Sequence, residues 1–159
     1  MFHIVLFEPR IAFNTGNIIR LCANTGSELH LIKPLGFNFE ESNLRRAALD
    51  YRDLTNVTEH DDFASYAKKH SERRVLAITP HAEKPYASAV FDELDSFLFG
   101  SEDTGLPQSI VDQVPSEHCL RIPMMPDNRS LNLSNAASIV TYEAWRQLLF
   151  IGDISCNKQ

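Results

Sequence analysis

The feature that most constrains this chain is a set of short runs that are apolar almost without interruption. They are HIVLF at 3–7, LHLI at 29–32, VLAIT at 75–79, SFLF at 96–99 and CLRI at 119–122. A strand with one wet face alternates apolar and polar residues, whereas a strand covered on both faces reads as a continuous apolar run. The segments between the runs carry helical patterns. Asn14-Thr15-Gly16-Asn17 opens a helix with Ile18, Ile19, Leu21 and Cys22 on one face, and Gly26 closes it. Asp61 or Asp62 caps a helix through about His70, Pro107 starts one that runs through Val114, and Leu133 starts a long one reaching about Phe150. Leu44–Leu49 reads as a short helix, and Leu54–Thr58 as a strand polar enough to lie near an edge. Strands alternating with helices predict an α/β fold with a mostly parallel sheet flanked by helices.

At 159 residues the chain is sized for one domain, expected over 1–151, with a polar, flexible C-terminal tail at 152–159. No stretch reaches the roughly 18–20 apolar residues of a membrane span. The apolar run at the N-terminus is too short for a signal peptide and reads as a strand. Cys22, Cys119 and Cys156 are odd in number and form no CxxC pair, so Cys22 and Cys119 read as buried thiols in a reducing, cytoplasmic setting. The histidines show no metal-ligand spacing, and His30 within LHLI reads as a core or rim residue. No metal is expected. The net charge of −6 argues against a protein that coats nucleic acid, while leaving room for a local basic face from Arg20, Arg45, Arg46 and Arg129.

In parallel sheets ligands sit beyond the carboxyl ends of the strands. That rule brings together the loops after Thr79, Gly100 and Ile122. The Gly100–Pro107 loop, GSEDTGLP, is neither GxGxxG nor a phosphate loop ending in GK[ST], which disfavours a dinucleotide-dependent oxidoreductase. Gly100 would let backbone approach a ligand, and Glu102 presents a carboxylate. The loop after Ile122 holds Asp127, Asn128, Arg129, Ser130, Asn132, Ser134 and Asn135, more hydrogen-bonding groups than one helix cap can use. Asn132 or Ser134 is the expected cap. In NTGNIIR, Asn14 reads as a cap, and Asn17 and Arg20 share one helical face.

Taken together, NTGNIIR, LFGSEDTGLP and IPM…NRSLNLSNAASIVTYEAWRQ resemble the SPOUT class of RNA methyltransferases. Within it they are most similar to the small single-domain tRNA 2′-O-methyltransferases of the wobble nucleotide. The resemblance implies a deep C-terminal trefoil knot, which pattern reasoning alone would not propose. It implies S-adenosylmethionine, with S-adenosylhomocysteine as product, held by Ile78, Thr79, Gly100, Glu102, Ile122, Ser130, Leu131 and Asn135. It further implies a homodimer with the active site at the interface, and Ala136, Ala137, Val140 and Ala144 form a small-residue stripe that fits either that contact or internal packing. Arg20 is the implied catalytic residue, with Asn17 and Tyr142 beside it and Arg129, Asn132, Arg45 and Arg46 toward the RNA. Arginine holds its proton too firmly to act as a ready base, so orientation and electrostatic stabilisation of an alkoxide suit it better. The alternatives are methylation of ribosomal RNA or of another tRNA position, and a non-catalytic RNA-binding module on the same fold.

Overall fold

The structure, a computed structural model, describes residues 1–38 and 57–153. Its strands are β1 (His3–Phe7), β2 (Glu28–Ile32), β3 (Val57–His60), β4 (Arg74–Ile78), β5 (Lys84–Pro85), β6 (Asp95–Phe99) and β7 (Cys119–Arg121). The helices are α1 (Ala12–Thr25), α2 (Phe63–Lys69), α3 (Gln108–Val111) and α4 (Leu133–Gln147). The strands form one seven-stranded sheet in the order β3-β2-β1-β6-β4-β7-β5. Every strand pairing in it is parallel.

Alternate residues of the apolar runs feed two separate cores, which is why the runs are uninterrupted. Ile4 and Leu6 of β1 pack with Ile18, Ile19 and Cys22 of α1 and with Ala137, Val140 and Ala144 of α4. Val5 and Phe7 turn to the other face, where Phe63 and Tyr66 of α2 and Val114 cover them. Burying one such large apolar side chain contributes about 1.5–3 kcal/mol. β3 lies at an edge, as its polarity predicts, and Asp62 caps α2 by accepting from the Ser65 N–H at 2.7 Å. Gly26 ends α1 in the left-handed region at φ 67°.

Element ends differ in informative ways. α1 begins at Ala12, ahead of Asn14, and its N-cap Ile11 has no side-chain cap bond. α3 stops at Val111, and Pro107 stands at its N-cap with extended geometry. α4 ends at Gln147 because Leu149 and Phe150 take left-handed φ values of 55° and 53°. The Phe150 N–H turns back to the Trp145 carbonyl at 2.9 Å, a reversal that apolar periodicity does not reveal. The loop expected at His81–Tyr86 contains the small edge strand β5, where Pro85 is tolerated because its missing donor faces no further neighbour. The predicted helix at 44–49, Arg45, Arg46 and the tail beyond Asp153 lie outside the described residues.

Candidate active site

β6, β4 and β7 are neighbours in the sheet, so the loops leaving their carboxyl ends are neighbours too. They enclose a cavity of about 280 Å³. Ile78, Thr79, Gly100, Glu102, Ile122, Ser130 and Leu131 all line it, joined by Leu106, Leu133 and Ala136. The lining is mainly apolar with a few convergent polar groups, the usual make-up of a small-molecule site. Gly100 is required by its own loop. A Cβ there would stand 2.0 Å from the Gly105 carbonyl carbon and 2.2 Å from the Leu106 nitrogen. The loop closes through paired backbone bonds between Ser101 and Gly105, at 3.2 and 2.9 Å, and the Ser101 hydroxyl donates to the Asp103 carboxylate.

Glu102 has a second task. Its carboxylate accepts from the backbone N–H of Arg10 at 2.7 Å, the N–H of Ile11 at 3.2 Å and the Asn14 side-chain amide at 3.0 Å. These N–H groups lie just ahead of α1, whose dipole is positive at this end, so the carboxylate brings from a distant loop a negative charge that Ile11 cannot supply. Asn14 is therefore not a cap. It is buried, and its carbonyl oxygen accepts from the Asn132 side-chain amide at 2.9 Å. The Asn132 carbonyl oxygen in turn caps α4, accepting from the Ser134 N–H and hydroxyl and the Asn135 N–H. One polar relay thus ties the β6 loop, α1 and α4 together beside the cavity. Neither link is visible in sequence, since Asn14 and Asn132 each look like ordinary caps. Asn132, expected to face RNA, has its side-chain groups engaged within the fold.

The remaining site residues lie outside the cavity lining. Asn17 and Arg20 are exposed on α1, Asn135 and Tyr142 are exposed on α4, and Arg129 is exposed in the loop before it. Tyr142 stacks edge-on to Trp145, with ring centroids 5.8 Å apart. The small-residue stripe faces inward, because Ala137, Val140 and Ala144 are fully buried within the chain, and α4 uses them to pack on α1 and β6. Those three are core, whereas Ala136, the fourth member of the stripe, is half-buried and lines the cavity.

The arginines divide sharply. Arg10 pairs with Glu8, Arg73 donates to the Met1 carbonyl, Arg74 grips Asp95, Arg121 donates to the Glu83 carbonyl and Arg146 pairs with Glu143. Among the described arginines only Arg20 and Arg129 have a side chain with neither a hydrogen bond nor an ion pair.

This arrangement of sheet, cavity and C-terminal helix is a methyltransferase architecture. The SpoU methyltransferase AviRb from Streptomyces viridochromogenes, solved with the cofactor AdoMet, shares the fold. Its TM-score is 0.75, covering 92% of this chain and 57% of that one at 21% identity. The chain belongs to the SpoU rRNA Methylase family, whose model matches residues 1–142. It is 49% identical over 154 residues to the tRNA (cytidine(34)-2′-O)-methyltransferase of Escherichia coli K12, covering 97% of this chain and 98% of the relative. It is also similar to a structure solved for insights into the 2-OH methylation of C/U34 on tRNA. That match has a TM-score of 0.87 and 41% identity, covering 94% of this chain and 97% of that one.

Proposed function

We propose that this protein transfers a methyl group from S-adenosylmethionine to the ribose 2′-hydroxyl of the wobble nucleotide of tRNA, a cytidine or modified uridine. Support comes from relatives of near-equal length whose names specify that reaction and that nucleotide. The observation that carries the reading onto this chain is the pair of exposed guanidinium groups with no partner inside the fold, Arg20 and Arg129. Every other described arginine is tied up within the fold, so these two are available to an anionic partner.

The cavity suits an adenosyl group. Ile78, Ile122 and Leu131 offer apolar walls for a flat base, and Thr79, Ser130 and the Gly100 loop offer polar contacts around them. When bound, S-adenosylmethionine supplies an electrophilic methyl on a sulfonium. The chain's part is to hold the ribose hydroxyl in line and to stabilise negative charge as its proton departs. Arg20 fits that task, with Asn17 and Tyr142 as neighbours and Arg129 on the RNA backbone.

Arg20 does not line its own chain's cavity, which supports a homodimer in which one chain's arginine serves the partner's cavity. Exposed apolar side chains on and beside α1 and α4, Ile11, Phe13 and Tyr142, supply surface for that contact. A trefoil knot formed by the segment from Ile122 into α4 belongs to the same reading.

The test is transfer of labelled methyl from S-adenosylmethionine to total tRNA, with the modified nucleotide mapped and Arg20→Ala assayed in parallel. Label on the position-34 ribose, reduced about a hundred- to a thousandfold in the variant while cofactor affinity is kept, is the expected result. Label on ribosomal RNA in place of tRNA would move the substrate, and absence of cofactor binding would remove the enzyme reading altogether.

A further inference from the structure

At the opposite end of the sheet from the cavity, a second cluster of side chains has no part in methyl transfer. His3 at the start of β1, His30 in β2 and His70 at the C-cap of α2 each place a ring nitrogen within 4.8 Å of the others'. His3 and His30 are buried, at 3% and 1% exposure. Their Nε2 atoms both point toward one carboxylate oxygen of Glu28, at 3.5 and 3.7 Å. The Nε2 atoms of His30 and His70 are buried without any hydrogen-bond partner. Buried polar atoms are nearly always partnered, so two orphaned nitrogens side by side call for a missing partner.

The other ring nitrogens are already fixed. Tyr66 donates its hydroxyl to Ser96 at 2.8 Å, so the tyrosine oxygen accepts from His3 Nδ1 at 3.1 Å. That places the proton on Nδ1 of His3 and leaves Nε2 as a lone pair. His30 Nδ1 meets His60 Nε2 at 2.9 Å, a contact that can hold His30 in the same tautomer. An imidazole whose far nitrogen is anchored and whose near nitrogen is bare is the usual arrangement of a metal-ligating histidine. Burial also keeps these rings neutral, with His3 pushed down to about 3 and His30 to about 2.

We propose that His3, His30 and His70, with Glu28 at the mouth, form a binding site for one divalent transition-metal ion of the zinc type. Three imidazoles and a carboxylate are a donor set that Zn²⁺ accepts in tetrahedral geometry. Zinc–nitrogen bonds of about 2.0–2.1 Å need the nitrogens roughly 3.3 Å apart, so the rings close by at most about 1.5 Å on loading. Glu28, whose side chain is 57% exposed, gives the ion its entry and offsets the nearby positive charge of Arg73. The ion would pin β1, β2 and the end of α2 to one another, a structural role remote from the cavity. The ligands come from distant parts of the chain, which is why no spacing motif marks them.

The experiment uses the untagged full chain, stripped with a chelator, desalted and titrated with Zn²⁺. Zinc retained per chain is counted by mass spectrometry, Tm is followed, and Co²⁺ serves as a visible-absorption probe of tetrahedral coordination. His3→Asn and His70→Gln are compared, with the metal-free Tm of each as the folding control. His70 sits at a half-exposed helix end, so its variant decides the matter should His3→Asn fail to fold. The expected result is one zinc per chain and a Tm rise of roughly 5–10 °C at about a hundredfold excess over Kd. Affinity should fall at least tenfold in His70→Gln. No retained zinc and no shift overturns the site, and so does zinc binding undiminished in the folded variants.

Discussion

The Asn132 side-chain amide donates to the Asn14 carbonyl oxygen at 2.9 Å across 118 positions of sequence. Through Asn14 that bond continues to Glu102, so the N-terminus of α1, the β6 loop and the cap of α4 are set by one another. The cavity wall made by Ser130 and Leu131 is anchored at its far end by the same residue. Asn132→Ala should therefore cost about 1–2 kcal/mol, combining a lost cap with a lost bridge. Asn132→Asp keeps the cap but cannot donate to Asn14. It should hold Tm within a few degrees of the parent yet bind S-adenosylmethionine several-fold more weakly. Thermal melts beside calorimetric titration separate the two effects, and equal cofactor affinity in all three proteins would show that the bridge does not shape the cavity.

Gly100→Ala tests the loop from the inside. A Cβ 2.0 Å from the Gly105 backbone cannot be absorbed by a side-chain rotation, so the loop itself must open. A loss of about 2–4 kcal/mol is expected, together with collapse of cofactor affinity. Chemical denaturation at constant m-value measures the first, and a wild-type Cm would contradict the close packing described.

Arg129→Ala should leave the melt unchanged, because its exposed side chain makes no hydrogen bond or ion pair within the fold. Its expected signature is in RNA binding. Affinity for tRNA falls, and the slope of log K against log salt concentration drops by about one. Filter binding from low to moderate salt reads this directly, and an unchanged slope would remove Arg129 from the phosphate contacts.

Acid sensitivity has one identifiable source in α4. The Arg146 guanidinium, bound by both of its arms, and the Gln147 amide hold the Glu143 carboxyl down from 4.5 to about 2. A folded-state value below the unfolded one contributes stability that is complete above about pH 4.5 and is lost as pH falls through about 2. Glu143→Gln should flatten that part of the Tm-against-pH curve. Superimposable curves for the two proteins would mean that the pair contributes nothing, as many exposed ion pairs do.

Much of this was legible in the residues. Continuous apolar runs announced strands buried on both faces, the polarity of the run expected at Leu54–Thr58 pointed to an edge, where the strand Val57–His60 lies, and Asp62 and Asn132 act as the caps their positions suggest. The three cavity loops followed from the rule that parallel sheets bind ligands at their carboxyl ends. What stayed hidden was set by contacts between distant segments. Glu102 capping α1 from the β6 loop, Asn14 bonding sideways to Asn132, and three histidines converging from β1, β2 and α2 leave no local periodicity to read. The alanines of α4 show the same limit from the other side, because a small-residue stripe looks alike whether it meets its own sheet or another molecule.

Arg20 standing outside the cavity of its own chain has a genetic consequence. In the proposed homodimer the arginine and the cavity of one working centre come from different copies of the chain, so damage to one leaves the other fit to lend. Co-expressing an Arg20-deficient copy with a cavity-deficient copy should rescue activity that neither shows alone, since each mixed pair regains one working centre. Two inherited lesions in this chain would then complement or fail to complement according to which face they strike.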